Sequence, residues 1–314
     1  MPPPQRGGVL PTYGFLAIQK KHRFDVPYPV NIYPMPRILL VILCHFLGSS
    51  LRAQSFHGGL AAGGMMYHGD LSHNPLYDIR TATAGSGHIE FNDRLSIFGQ
   101  YMFGHVGSSD RNSTDRILRN FSFDSHVFEW SLGLRVNLLS SDRGLVVPYL
   151  HASAAFYRVA PWTSDSTGNI VYLYPVHTQG NGLPQFPDLP EDRLIKYCFP
   201  VGGGIAFTLT HRLSLDLEGS LRYTFDDRMD DVGGYFPDLA LLKASGKART
   251  DLTYRTAEIQ EGVMSYPQAG TPRGNPKSND WYSSLQVRVR VKLFSREDPT
   301  RRRRTLLGSD MWMY

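Results

Sequence analysis

The chain has 314 residues, with 33 lysines and arginines, 28 acidic residues and a formal net charge of +5 at pH 7. Residues 1–54 hold six of the cations and one acid, so the remaining residues carry 27 charges of each sign. Residues 55–314 thus have no net charge and lack the excess of basic residues that nucleic-acid binding requires. We expect no nucleic-acid partner. The run Arg301–Arg304 is interpreted as part of a solvated basic tail over residues 295–314.

The N-terminal region has the layout of a secretory signal. Arg37 precedes an apolar run that is too short to span a bilayer, and small residues follow as far as Ala53. This pattern predicts a signal peptide over residues 35–53. A lipoprotein signal is the alternative, because Cys44 lies in the run, but a bulky leucine precedes it. Residues 1–34 are interpreted as an upstream extension that is not part of the fold.

After such cleavage, Cys198 is the one remaining cysteine, so no intramolecular disulfide is expected. We interpret this side chain as a small buried or lipid-facing group. No apolar stretch of membrane-helix length follows residue 54. A membrane-embedded mature chain would therefore have to cross with strands.

Apolar and polar residues alternate with period two along much of the mature chain, which is typical of β-strands. Eight strands are predicted: His57–His68, Thr81–Phe91, Leu95–Phe103, Phe128–Leu138, Val147–Tyr157, Val201–Leu209, Leu213–Phe225 and Leu285–Phe294. Each has the roughly 9–11 residues that a tilted membrane strand needs.

The last strand, LQVRVRVKLF, has one apolar face and one cationic face. In a soluble sheet the cations would face water, whereas in a transmembrane barrel they would face the lumen. Asp216 and Glu218 on the preceding strand offer opposite charges, which favours the lumen. The predicted lumen charge network is Glu129, Arg135, Asp216, Glu218, Arg222, Arg288, Arg290 and Lys292.

The connections between the predicted strands alternate between short and long. Short connections lie near residues 92–94, 140–144 and 210–212, and the others are much longer. This asymmetry is typical of outer-membrane barrels, with short periplasmic turns and long extracellular loops. The sequence predicts an all-β fold over residues 54–294: an eight-stranded antiparallel transmembrane barrel of OmpA or OmpX size, located in the outer membrane.

Aromatic residues at the predicted strand ends favour the same interpretation, because aromatic girdles mark the two membrane interfaces. Ordinary β-propensity also favours aromatics and is the alternative explanation. The predicted girdle is Tyr67, Tyr157, Trp162, Tyr223, Phe225, Trp281, Tyr282 and Phe294.

The chain resembles a known family in five pieces. They are GGMMYHGDLSHN (63–74), RNFSFDSHVFEWSLGLRVNLL (119–139), PYLHASAAFY (148–157), the long piece over 199–236, and NDWYSSLQVRVRVKLF (279–294). These pieces resemble the DUF6089 outer-membrane barrels of Bacteroidetes, a family that includes the PorG barrel component of the type IX secretion system. The loop over 238–276 and the tail after Phe294 depart from the family pattern.

Few residues suggest chemistry. His68, Asp70 and His73 have a spacing that suits a metal or an acid–base pair, but a strand-capping turn explains them more simply. The acidic residues over 226–231 offer oxygen ligands for calcium, although a solvated loop entrance is the simpler interpretation. Gly202–Gly204 lie within a strand pattern and are interpreted as allowing close packing. We expect no catalytic residue, no cofactor and no metal.

These observations lead to an expected function. The protein is expected to be a non-enzymatic outer-membrane anchor or assembly component that contacts outer-membrane lipid. The family resemblance implies a part in type IX protein secretion, with a periplasmic ring lipoprotein as partner. The alternatives are a barrel enzyme acting on lipid or peptide, and a small-solute channel, which a side-chain-filled barrel of this size disfavours.

Overall fold

A computed structural model of the protein describes residues 55–295, except for residues 73, 75, 113–115, 141–144 and 260–264. The predicted extension, the signal peptide and the basic tail after Ser295 lie outside these described residues, as does His73.

The described chain forms ten strands. They are β1 (Ser55–His68), β2 (Arg80–Glu90), β3 (Leu95–Ser109), β4 (Ser122–Asn137), β5 (Val146–Val159), β6 (Trp162–Ser164), β7 (Ile170–Tyr172), β8 (Ile195–Thr208), β9 (Leu213–Thr224) and β10 (Trp281–Ser295). The eight long strands pair with their sequence neighbours, and β1 pairs with β10. All these pairings are antiparallel. The predicted all-β, closed eight-stranded barrel is therefore confirmed.

The two faces of the barrel wall follow the sequence alternation. In β10, Val287 is 48% exposed and Val289 is 44% exposed, whereas Arg288 is 1% exposed and Arg290 is 6% exposed. The outward row is thus entirely apolar through the middle of this strand, and the guanidinium groups lie inside. A continuous exposed apolar surface of this kind matches the lipid-facing band of a membrane barrel.

Side-chain hydrogen bonds form the tight turns at the inner end of the barrel. Between β2 and β3, the Asn92 carboxamide oxygen accepts hydrogen bonds from the backbone N–H groups of Arg94 and Leu95. Between β8 and β9, the Thr210 hydroxyl accepts from Arg212 and Leu213 in the same way. Such Asn and Thr turns need few residues, so these hairpins stay short.

Several strands extend further outward than their sequence pattern predicted. Residues 104–109 continue β3, residues 122–127 precede the predicted start of β4, and residues 195–200 precede that of β8. In β3 and β4, polar residues such as His105 and Asp124 interrupt the outward apolar row. In β8 the outward row stays apolar, and Cys198 and Pro200 interrupt the polar inward row. Alternation of apolar with polar residues therefore predicted these strands too short at their outer ends.

The four long loops pack into one layer over the outer mouth. We call their described residues, within 69–79, 110–121, 160–194 and 225–280, the outer cap. It contains the β6–β7 hairpin, the helices Leu239–Ala244 and Thr250–Thr253, and the 3₁₀ turns Asp110–Asn112, Ile117–Arg119, Tyr174–Val176 and Thr256–Glu258. Within the described residues, no helix combines the length and the hydropathy needed to cross a membrane.

The barrel interior has two parts. The half near the short turns is charged, whereas the half near the long loops is apolar and includes Met65, Met102 and Val106. This apolar half is continuous with the cap residues Met229 and Phe236 in a single cluster. The cap is thus held to the barrel by a shared core, and it closes the outer end of the lumen.

Candidate functional site: a charged lumen beneath the outer cap

The charged lumen contains an ion-pair cluster centred on Asp216, whose carboxylate is fully buried. Arg135 donates to it from the opposite wall with an Nη1–Oδ2 distance of 2.6 Å, and the Arg290 Nε lies 3.5 Å from the same oxygen. Arg290 also pairs with Glu90 across 3.2 Å. Strands β4, β9, β10 and β2 are therefore linked through one buried cluster.

A second cluster surrounds Arg288. Its Nη2 atom lies 2.8 Å from a Glu218 oxygen and donates to the Gln100 carboxamide across 2.6 Å. The other Glu218 oxygen accepts a hydrogen bond from the Tyr149 hydroxyl at 2.9 Å. Because Gln100 is on β3 and Glu218 on β9, Arg288 joins strands that do not neighbour each other.

The third cluster lies where the charged half meets the apolar half. Arg222 donates through Nε to Glu129 across 3.1 Å, and the Tyr282 hydroxyl donates to the same carboxylate oxygen across 2.8 Å. Arg222 also donates to the Ser284 hydroxyl at 2.6 Å. All four side chains are buried.

Seven of the eight predicted lumen charges thus take part in these buried ion pairs. Lys292 differs: it is half-buried at the inner end and pairs with no acid among the described residues. Glu90, Gln100 and Tyr149 were not predicted. They face inward on their strands with the same alternation, and that periodicity was the signal that would have identified them.

Glycines allow the closest packing inside the lumen. A Cβ at Gly204 would lie 2.3 Å from the Leu217 carbonyl oxygen and 2.6 Å from the Tyr149 hydroxyl oxygen. A Cβ at Gly202 would lie 2.6 Å from a ring nitrogen of His151. These positions lack side chains because Tyr149 and His151, on the neighbouring strand, occupy the space.

The predicted aromatic girdle is wrong at three positions. Tyr67, Tyr157 and Tyr282 are at most 1% exposed and point into the barrel. These three tyrosines lie near strand ends, as girdle residues do. Along each strand, however, they alternate in step with the inward-facing side chains. Trp162 is half-buried in the β6–β7 hairpin, with its ring stacked on His105.

The other predicted girdle residues face outward. Tyr223 and Phe225 are 59% and 49% exposed at the outer end, and their rings contact each other edge to face. Trp281 is 37% exposed, and Phe294 is 72% exposed at the inner end.

The His68 and Asp70 side chains have separate partners. The His68 ring stacks on Trp281 and its Nε2 atom lies 2.8 Å from the Ser283 hydroxyl. Asp70 instead accepts a hydrogen bond from the Asn275 backbone at 2.8 Å. Its role is to join the first long loop to the last one.

Arginines hold the cap loops together through backbone carbonyls. Arg119 forms two hydrogen bonds to Asp110, at 2.6 and 2.8 Å, and donates to the carbonyl oxygens of Asp70 and Arg273. Arg273 donates to the Asp231 carbonyl, and its guanidinium lies 4.5 Å from the Phe121 ring centre. Three separate loops therefore meet at these two cations.

The acidic residues over 226–231 have separate surroundings. Asp226 pairs with Lys196, and Asp231 accepts from the Thr178 hydroxyl. Burial raises the pKa of Asp231 to about 7, and desolvation together with the Asp70 charge raises the pKa of Asp227 to about 7. Among the described residues, no group of three or more histidine, cysteine or acidic side chains is arranged to hold a metal ion.

A family model described as a domain of unknown function, DUF6089, matches residues 36–244. The chain belongs to the DUF6089 family. The match spans the predicted signal region, seven of the eight barrel strands and part of the last loop, and it ends before β10. No curated protein has a matching sequence.

Solved outer-membrane proteins are similar to this DUF6089 barrel. Neisserial surface protein A has 12% identity and a TM-score of 0.39, covering 76% of this chain and 97% of its own. The attachment invasion locus protein Ail of Yersinia pestis has 8% identity and a TM-score of 0.38, covering 76% and 99%. OprG of Pseudomonas aeruginosa has 8% identity and a TM-score of 0.37, covering 78% and 99%.

The DUF6089 chain is an outer-membrane β-barrel. Its exposed apolar wall, its closed ring of eight strands and its asymmetry between short turns and long loops form the architecture of that class. Cys198, expected to be a small buried or lipid-facing group, is 1% exposed and lies 3.6 Å from the Tyr282 hydroxyl oxygen.

Proposed function

We propose that this DUF6089 barrel is a non-enzymatic anchor or assembly component of the outer membrane, and that the assembly it serves is the type IX protein secretion machinery. The observation that carries the anchor role is the filled lumen. Ion pairs such as Arg135–Asp216 cross the barrel from wall to wall, and the cap packs over its outer mouth. Such an interior serves the rigidity of the wall and leaves the ends as surfaces for partners.

The secretion role is supported by the family resemblance. The five segments that resemble the family occur in order from residue 63 to residue 294. They include both the inward-facing and the outward-facing side chains of the strands. The partner would be a periplasmic ring lipoprotein, contacted through the short turns or the tail after β10. Arg94 and Arg212 are exposed at these turns and are the described residues best placed for such a contact.

Site-specific cross-linking in cells tests the partner. A photo-reactive residue would replace Arg94 or Arg212 at the inner end, and Lys247 in the cap would serve as the matched exposed position at the opposite end. Cross-links to a ring lipoprotein are expected from the two inner positions and not from the cap. Recovery of no secretion component from any position would contradict the secretion role while leaving the barrel architecture in place.

Two rival functions have direct tests. A barrel enzyme would depend on groups such as His68 and Asp70, so His68→Ala and Asp70→Ala would change the lipid A or protease profile of the cells. We expect both profiles to stay unchanged.

A small-solute channel would give steady conductance in planar bilayers, whereas a lumen crossed by ion pairs predicts no conductance.

A further inference from the structure

One hydroxyl group joins the two ends of the last long loop to the barrel. The Tyr67 hydroxyl, at the outer end of β1, lies 2.7 Å from Asp230 Oδ2 and 2.8 Å from Asp280 Oδ1. Asp230 lies near the beginning of this loop, and Asp280 is its last residue before β10. We call these three side chains the carboxyl–phenol junction.

With both carboxyl groups ionised, the junction has one hydrogen for the two short oxygen–oxygen contacts of the Tyr67 hydroxyl. A phenol has one hydrogen, so it can donate to one of the two carboxylates. The remaining carboxylate oxygens do not change this count, because Asp230 Oδ1 accepts from the Val232 backbone at 2.7 Å and Asp280 Oδ2 from the Met229 backbone at 2.8 Å. A second proton on one carboxyl group is therefore required to complete both contacts with the Tyr67 oxygen.

Both carboxylates lack an ion-pair partner among the described residues. Asp230 and Asp280 are each 1% exposed, and within the described residues no lysine or arginine nitrogen forms an ion pair with either. The ionisable groups that face the junction from the surrounding elements are Asp70, Arg119, Tyr157, Lys196, Asp227 and Arg273. Two carboxylates that share a buried site favour keeping one proton between them.

We propose that the last long loop is docked on the barrel by a proton shared within the carboxyl–phenol junction, so that docking of the outer cap responds to the pH outside the cell. The residues on both sides of Asp230 support this coupling, because they contribute Met229, Val232 and Phe236 to the core shared with the barrel. Loss of the junction would separate these side chains from Met65 and uncover the apolar outer half of the lumen.

The direction of the pH effect follows from the protonation states. Burial, followed by the charge of Asp280, holds the pKa of Asp230 well above its usual value, and burial also raises the pKa of Asp280. Once the loop undocks, both carboxyls return to ordinary values near 4. Docking therefore takes up a proton, and it weakens as pH rises above about 4, the ordinary value of the undocked carboxyls.

Hydrogen–deuterium exchange on the full chain in lipid nanodiscs tests the junction. The reporting peptides cover residues 226–236, whose Met229 and Val232 amides donate to the two carboxylates. After correction for intrinsic exchange, protection is expected to fall by up to tenfold per pH unit between about pH 5 and about pH 7.

Asp280→Asn separates the shared proton from ordinary hydrogen bonding. Its carboxamide can donate to the Tyr67 oxygen and still accept from Met229, so it imitates the protonated acid. We expect this variant to keep its protection at pH 7 and to show a flatter pH profile. Asp251→Asn, an exposed carboxylate in the same loop, is the matched control and should keep the wild-type profile.

Tyr67→Phe removes the bridging hydroxyl and should lower protection at every pH. Heat-modifiable migration would verify that each variant still folds as a barrel. If Asp280→Asn loses protection as Tyr67→Phe does and retains the full pH slope, the junction is an ordinary contact and the proposal is overturned. A wild-type profile with no pH dependence would overturn it as well. Neither result would bear on the secretion partner.

Discussion

The lumen and the outer cap both bury charged side chains, but they neutralise them in different ways. In the lumen, Arg135, Arg222, Arg288 and Arg290 each lie within ion-pair distance of a carboxylate. In the carboxyl–phenol junction, two carboxylates face one hydroxyl with no paired cation among the described residues. The lumen is thus expected to keep its contacts over a wide pH range, whereas the cap is expected to depend on protons.

The difference arises from how each region is built. Strand pairing fixes the register of the wall, so opposite charges on β9 and β10 meet through the alternation of the sequence itself. The cap has no such repeat, and its contacts join residues far apart in the chain, such as Tyr67 and Asp280. The ion pairs between β9 and β10 are therefore encoded by strand register, whereas the cross-barrel pair Arg135–Asp216 and the carboxyl–phenol junction form only in the complete fold.

The largest effect is expected from Asp216→Asn. This change leaves Arg135 and Arg290 buried beside a neutral group, and breaking a buried pair in this way costs roughly 3–5 kcal/mol. Urea unfolding from lipid vesicles would measure the loss in the free energy of unfolding. The control is Asp188→Asn, an exposed carboxylate in the cap, for which no measurable change is expected. Equal losses in both variants would contradict the account of the lumen.

Two aliphatic side chains of similar exposure are expected to respond differently to a charge. Val287 in the barrel wall is 48% exposed, and Leu241 in the cap is 46% exposed. Val287→Arg places a charge in hydrocarbon and should destabilise by about 2–4 kcal/mol, whereas Leu241→Arg places it in water and should change little. The same unfolding measurement applies. Similar small effects at both positions would show that the wall does not contact lipid.

A third, smaller effect is expected at the lumen glycines. Gly204→Ala pushes a methyl group against the Leu217 carbonyl and Tyr149, and overpacking of this kind costs roughly 1–3 kcal/mol. Gly219→Ala is the matched control, since a Cβ there meets nothing within 4 Å. Unfolding midpoints of the two variants should differ, and identical midpoints would argue against close packing around Tyr149.

Sequence reasoning was most successful where one residue type alternates with another over a full strand. The row of Val287 and Val289 against Arg288 and Arg290 predicted both the lipid face and the lumen face. It failed for Tyr282, which lies on the same inward row but was assigned to the girdle because of its place near the strand end. Parity along the strand, rather than position at its end, decides which face an aromatic residue occupies.

The cap was beyond the reach of sequence patterns. Its helices are short, and its core is shared with the barrel. Several of its polar contacts are made to backbone carbonyl oxygens, which every residue type has and which a sequence pattern therefore does not indicate. The acidic residues over 226–231 were noticed as a group, yet the structure assigns them to separate contacts. Their partners, Tyr67, Thr178 and Lys196, come from three different parts of the chain.

The most direct test of the central claim is the contact between the barrel wall and lipid at Trp130, which is 65% exposed on β4. A variant that keeps this tryptophan and replaces the other three of the chain with phenylalanine would be reconstituted in lipids brominated on the acyl chains. Strong quenching of Trp130 fluorescence by bromine is predicted, with little quenching by aqueous acrylamide. Quenching by acrylamide without quenching by the brominated lipid would contradict the transmembrane barrel.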